Sequence, residues 1–93
     1  GAGPAGITAG IYARRACLNF LILQDKYSTG SQICSTYEVC NYPGFNNISG
    51  QDLYDKIKKH SEELGVTIKE EKVIEIMIVF RFQPEKLSNT MLI

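Results

Sequence analysis

Ninety-three residues carrying ten basic and ten acidic side chains have zero formal charge, which excludes the electrostatic footprint of a nucleic-acid or membrane-surface binder. The 44% hydrophobic content excludes wholesale disorder, and no apolar run approaches the roughly 18 residues of a membrane span. A chain this short suits one small domain that buries about two-thirds of its unfolded surface, so modest stability is expected.

The chain opens on "GAGPAG", which matches G-x-G-x-x-G through Gly1, Gly3 and Gly6. In a dinucleotide-binding turn the first glycine permits the tight turn, the second lets backbone approach a pyrophosphate, and the third allows close packing of helix on sheet. Backbone N–H groups at the start of the following helix then face the phosphates. The hexapeptide by itself is a weak signal. Its surroundings strengthen it, because a helix pattern and then a buried-strand pattern follow. Asp25 lies about 20 residues on, where a ribose-binding acid is expected.

After the glycines, Ile7, Ile11 and Leu18 recur at helical spacing. Pro4 suits the helix entry, and Asn19 the left-handed residue that ends it. "FLILQ" reads as a short strand covered on both faces. The polar, turn-rich stretch from Asp25 to Gly50 reads as a long loop, with a tight turn at Pro43-Gly44. "SGQDLYDKIKKHSEELG" reads as an amphipathic helix capped by Ser49, aided by Asp52, apolar along Leu53, Ile57 and Leu64, and terminated by Gly65. "VTIK" and the alternating "VIEIMIVFRF" read as strands, with Pro84 in the turn beyond and the aliphatic run as sheet core. "TMLI" reads as the start of a further buried strand. The fold class is therefore α/β: a partial Rossmann-like domain without its initial strand, a parallel sheet with helices, and a β-hairpin or meander near the C-terminus.

Cys17, Cys34 and Cys40 are odd in number and contain no C-x-x-C. They suggest a reducing compartment, the cytoplasm, with neither a redox dithiol nor a metal site. They read best as small, partly buried hydrophobes. Arg14 and Arg15 read as solvated helix residues. His60, among lysines, reads as a surface histidine with no catalytic role, and no catalytic residue is assigned.

"GAGPAGITAGIYARRACL", followed by "GSQI", "TYEVCNYPGF", "ISGQDL", "KHSEELGV" and "IKEEKV", resembles the amino-terminal FAD-binding segment of bacterial-type thioredoxin reductases from Gly1 to about Val73. The resemblance implies one partial FAD-binding domain of the pyridine nucleotide–disulfide oxidoreductase type over residues 1–93, without the NADPH domain. In the complete parent, electrons pass from NADPH through FAD to a C-x-x-C disulfide and then to thioredoxin, and a homodimer is expected. By the same resemblance Gly1, Gly3, Ala5 and Gly6 would hold the FAD pyrophosphate. Asp25 would bind the adenosine ribose, beside Gln24 where the family often has glutamate. Gly30 and Gln32 belong to a loop near the flavin, in which Ser31 replaces a glycine and is expected to be strained by positive φ. Asn41 would meet the flavin ring, and Val73 would use its backbone against the adenine. Read without the family, Gln32 and Asn41 simply satisfy loop backbone.

A chain lacking the C-x-x-C and the NADPH site is expected to be inactive alone and to bind FAD weakly. Two further readings stay open: part of a ferredoxin–NADP reductase-like flavoprotein, or a non-catalytic module that binds a nucleotide or partner. A third is a chain with no function of its own.

Overall fold

The computed structural model describes residues 1–26, 31–77 and 90–93. In chain order it contains helix α1 (Pro4–Arg15), strand β1 (Phe20–Gln24), a short 3-10 helix (Gln32–Ser35), helix α2 (Gly50–Glu63), strand β2 (Ile68–Glu70) and strand β3 (Met91–Leu92). The sheet order is β2-β1-β3, and both pairings are parallel. β1, α2 and β2 thus form a β-α-β crossover, the connection that parallel neighbours require.

Pro4 sits in the first turn of α1, where its absent N–H costs no hydrogen bond. The helix ends earlier than the spacing of Leu18 suggests. Leu18 lies outside it and is exposed, and the left-handed residue is Cys17 (φ 55), not Asn19. The Cys17 N–H donates to the Arg14 carbonyl and the Leu18 N–H to the Ala13 carbonyl, the paired bonds of a Schellman turn. α2 stops in the same way, with Gly65 (φ 78) in the left-handed position and bonds from Gly65 to Glu62 and from Val66 to Ser61. Glycine holds that conformation without strain, whereas a Cβ there costs about 1–2 kcal/mol. Cys17→Gly is therefore expected to raise stability by about 1 kcal/mol, and with it the thermal midpoint by about 4–8 °C. An unchanged melting curve would show that Cys17 is not strained.

At its other end α2 is capped as expected: the Ser49 hydroxyl accepts from the Asp52 N–H (3.1 Å). Leu53 is fully buried, Ile57 partly so, and Leu64 lies just past the helix with 37% of its surface exposed. Arg14, although exposed, does more than meet water, because its Nε donates to the Leu64 carbonyl (3.2 Å). It thereby ties the end of α2 to the last turn of α1.

One core gathers Ala2, Ile7, Ile22, Tyr54 and Val66, with Ile11, Phe20, Ile33, Ile57, Ile68 and Ile93 packed around it. Only Ile22 of β1 is fully buried, so β1 is less covered than its apolar run suggests. α1 rests on β1 through Gly10: a Cβ there would stand 2.6 Å from Ile22 Cδ1 and 3.2 Å from Val66 Cγ1. Close approach of helix to sheet therefore falls to Gly10. At Gly6 a Cβ would collide instead with the Gly1 carbonyl, so Gly6 serves the tightness of the turn.

The C-terminal half of the chain departs furthest from expectation. β2 begins two residues later than "VTIK" and pairs Ile22 with Ile68 and Gln24 with Glu70. Residues 73–77 form no strand, and Val73, Ile74, Ile76 and Met77 are exposed rather than sheet core. The rest of the alternating run and Pro84 lie outside the described residues, and no antiparallel hairpin or meander occurs among those described after β2. β3 matches the expected strand at "TMLI", but Met91 and Leu92 are exposed. It pairs Phe20 with Met91 and Leu21 with Leu92.

Candidate functional site: the glycine turn and its cleft

Gly1 to Gly3 lead directly into α1, whose N-cap, Gly3, offers no side-chain cap to the first backbone N–H groups. Those donors and the helix dipole favour an anion at this end. The turn is anchored from beneath. The Ala2 N–H donates to Gln24 Oε1 at 2.8 Å, and the Tyr54 hydroxyl donates to the Ala2 carbonyl at 3.1 Å. Burial pushes the Tyr54 phenol above its ordinary value, with Cys34, Asp55 and Glu62 adding in the same direction. The hydroxyl therefore keeps its proton and remains a donor.

A cleft of about 510 Å³ lies beside the turn and runs along α2 and β2 from Val66 and Thr67 to Gln24 and Glu70. This last end, at the carboxyl ends of β1 and β2, is where open parallel sheets bind their ligands. Ala2, Gln24, Asp25, Tyr54, Lys58 and Glu70 are among the residues that line it. Its volume lies within the range of small-molecule sites, and its mixture of acids, lysines and amide suits a polar ligand with hydroxyls. Among the described residues no group of acidic, histidine and cysteine side chains could hold a metal ion.

The structure gathers some of the expected site residues. Gly1, Gly3, Ala5 and Gly6 form the turn and the first turn of α1, and Asp25 borders the cleft. Gly30 lies outside the described residues. Gln32 opens the 3-10 helix and is exposed, beside Ser31, whose Oγ would stand 3.2 Å from a Cβ on Gly3. Ser31 has φ −82, so the expected strain is absent; its hydroxyl caps the 3-10 helix by accepting from the Ile33 N–H. Asn41 is exposed in the long loop, just before the Tyr42–Phe45 turn closed at 3.2 Å with Gly44 at φ 97. Val73 is half-exposed beyond β2 and does not border the cleft.

Tyr54, Lys58 and Glu70 carried no distinguishing signal. Tyr54 sits next to Leu53 on an amphipathic helix, where a core role reads equally well. Two of the cysteines differ from expectation, Cys17 and Cys40 being exposed, while Cys34 is half-buried against the core as a small hydrophobe would be.

A glycine turn entering a helix, a parallel sheet, and a cleft at the strands' carboxyl ends define a Rossmann-like dinucleotide-binding domain. No family model matches the sequence. Comparison with known proteins finds 57% identity over 68 residues, 73% of this chain, with the "34.2 kDa protein in rubredoxin operon" of Clostridium pasteurianum. Identity is 46% over 65 residues, 70% of this chain, with thioredoxin reductase of Listeria monocytogenes, and 43% over the same length with that of Bacillus subtilis. Among solved structures, thioredoxin reductase of Streptococcus pyogenes superposes on 86% of the chain with a TM-score of 0.77 and 35% identity. That of Lactococcus lactis superposes on 75% with a TM-score of 0.68 and 38% identity. The chain spans 20–22% of the length of those curated relatives and 23–26% of those solved chains. It is a homologue of the bacterial thioredoxin reductases, matching their FAD-binding domain over part of their length.

Proposed function

We propose that this chain is the FAD-holding part of a flavin-dependent thioredoxin-disulfide reductase, whose whole protein carries electrons from NADPH through FAD to a thioredoxin disulfide. The observation that carries this reading is the anchored glycine turn, opening onto a cleft at the carboxyl ends of a parallel sheet. The residues present fit the cofactor's pyrophosphate end: Gly6 leaves no room for a Cβ beside Gly1, and the first turn of α1 has no side-chain cap.

In this reading Gly1, Gly3, Ala5 and Gly6 bring backbone donors to the pyrophosphate. Asp25 holds the adenosine ribose, and Ser31 stands against Gly3 at the edge of the turn. Gly30, Gln32 and Asn41 serve the flavin side, and the Val73 backbone serves the adenine. FAD, when bound, supplies the redox chemistry. The chain's own residues bind and orient it. Reduction of a disulfide belongs to the whole protein, since these 93 residues hold no C-x-x-C.

The test is retention of flavin by the purified chain on a sizing column after incubation with excess FAD. A partial, dilution-sensitive flavin spectrum in the protein peak is expected, as befits a weak site. A folded, monodisperse protein that retains none, even at millimolar FAD by equilibrium dialysis, would overturn the reading.

A further inference from the structure

The two side chains that hold Ala2 come from different elements, Gln24 from the end of β1 and Tyr54 from the second turn of α2. They act on successive peptide planes. Gln24 accepts from the N–H of the Gly1–Ala2 peptide, and Tyr54 donates to the carbonyl of the Ala2–Gly3 peptide. We infer that Tyr54, with Gln24, is a positioning residue of the glycine turn, fixing the direction in which the Gly3 N–H is offered to a ligand.

The reason is peptide geometry. In a planar trans peptide the carbonyl and the N–H point in opposite directions. A carbonyl of Ala2 held inward by Tyr54 therefore turns the Gly3 N–H away from the core. Among the described residues nothing accepts from that N–H. The Tyr54 bond is shielded from competing water, since Ala2 is 1% exposed and Tyr54 8%, whereas Gln24 is half-buried at the edge of the cleft. Two glycines flank Ala2, and without the clamp their wide conformational freedom would let both planes rotate.

This inference rests on the dinucleotide reading for its consequence but not for its geometry, so the experiment has two readouts on the full 93-residue chain. The first is hydrogen exchange of the Ala2 amide, followed by NMR. The second is FAD affinity by equilibrium dialysis. Wild type should protect Ala2. Tyr54→Phe, which keeps the ring and removes only the hydroxyl, should expose the Ala2 amide to exchange while amides of β1 and α2 stay protected. It should also weaken FAD about tenfold, the effect of one buried hydrogen bond. Gln24→Glu keeps an acceptor and should retain protection, whereas Gln24→Leu should lose it. A phenylalanine or leucine variant that merely lowered the melting temperature, leaving Ala2 protected and FAD affinity unchanged, would overturn the inference. Should wild type bind no FAD yet show Ala2 protection that Tyr54→Phe removes, the cofactor reading fails and the clamp stands. Should Tyr54→Phe fail to fold, Gln24→Leu compared with Gln24→Glu decides the matter from the other side of the turn.

Discussion

Ile22→Ala is expected to destabilise the fold by about 2–5 kcal/mol, the usual cost of removing a buried isoleucine and leaving a cavity. Ile22 is fully buried at the centre of β1, with Gly10 of α1 above it and Ile68 of β2 beside it. Its neighbours in the core, Ala2, Ile7, Tyr54 and Val66, belong to the turn, both helices and the approach to β2. A chain of this length has a total stability on the order of 5–14 kcal/mol, so the loss would remove a large share. It would also loosen the end of β1, where Gln24 holds Ala2. Urea denaturation should show a lower midpoint at an unchanged slope. Ile22→Val, which removes one methylene, should cost about 0.5–1.5 kcal/mol. Equal losses from the two variants would mean that the core closes around the gap and that Ile22 is not its keystone.

Met91→Pro is expected to cost about 1–3 kcal/mol, and Leu92→Pro much less. The Met91 N–H donates to the Asn19 carbonyl and the Ile93 N–H to the Leu21 carbonyl, both at 2.8 Å, while the Leu23 N–H donates back to the Ile93 carbonyl at 3.0 Å. By the alternation of a strand, the polar groups of Leu92 then point away from β1. Met91→Pro deletes a ladder donor and leaves the Asn19 carbonyl without it. Leu92→Pro deletes a donor that β1 does not use, and its constraint on Met91 favours the extended backbone already present. The uncovered edge of β1 in Met91→Pro should also promote concentration-dependent association on a sizing column. Identical behaviour of the two proline variants would show that β3 contributes nothing to the sheet.

β3 matters because of where it lies. In a dinucleotide-binding sheet the second strand has the third on one side and the first on the other. Here β1 follows the glycine turn and its helix, β2 takes the third-strand side, and Met91–Leu92 occupies the side next to the turn. An Ile93 methyl accordingly lies 3.6 Å from where a Gly6 Cβ would be. Ile93 therefore packs against the turn that the first strand of such a fold would lead into.

Much of this was legible in the sequence because it is written locally. The Ser49 cap, the Gly65 stop, the Pro43-Gly44 turn and the strand "FLILQ" each depend on side chains within a few residues of the backbone they shape, and each is found where its chemistry placed it. The glycine turn was readable for the same reason: it requires glycines at fixed offsets and little else. What only the tertiary structure decided are the relations between distant residues. "TMLI" could be read as strand-forming, but not that it docks on β1, near the other end of the chain. The alternating run after Lys72 has a strand's pattern, yet residues 73–77 find no partner strand among the described residues, and a pattern without a partner does not make a sheet. Tyr54 looked like one more core residue of an amphipathic helix, and only the meeting of α2 with the turn aims its hydroxyl at Ala2. Sequence periodicity records which face of an element is apolar; which atoms that face meets is settled when all the elements close on one core.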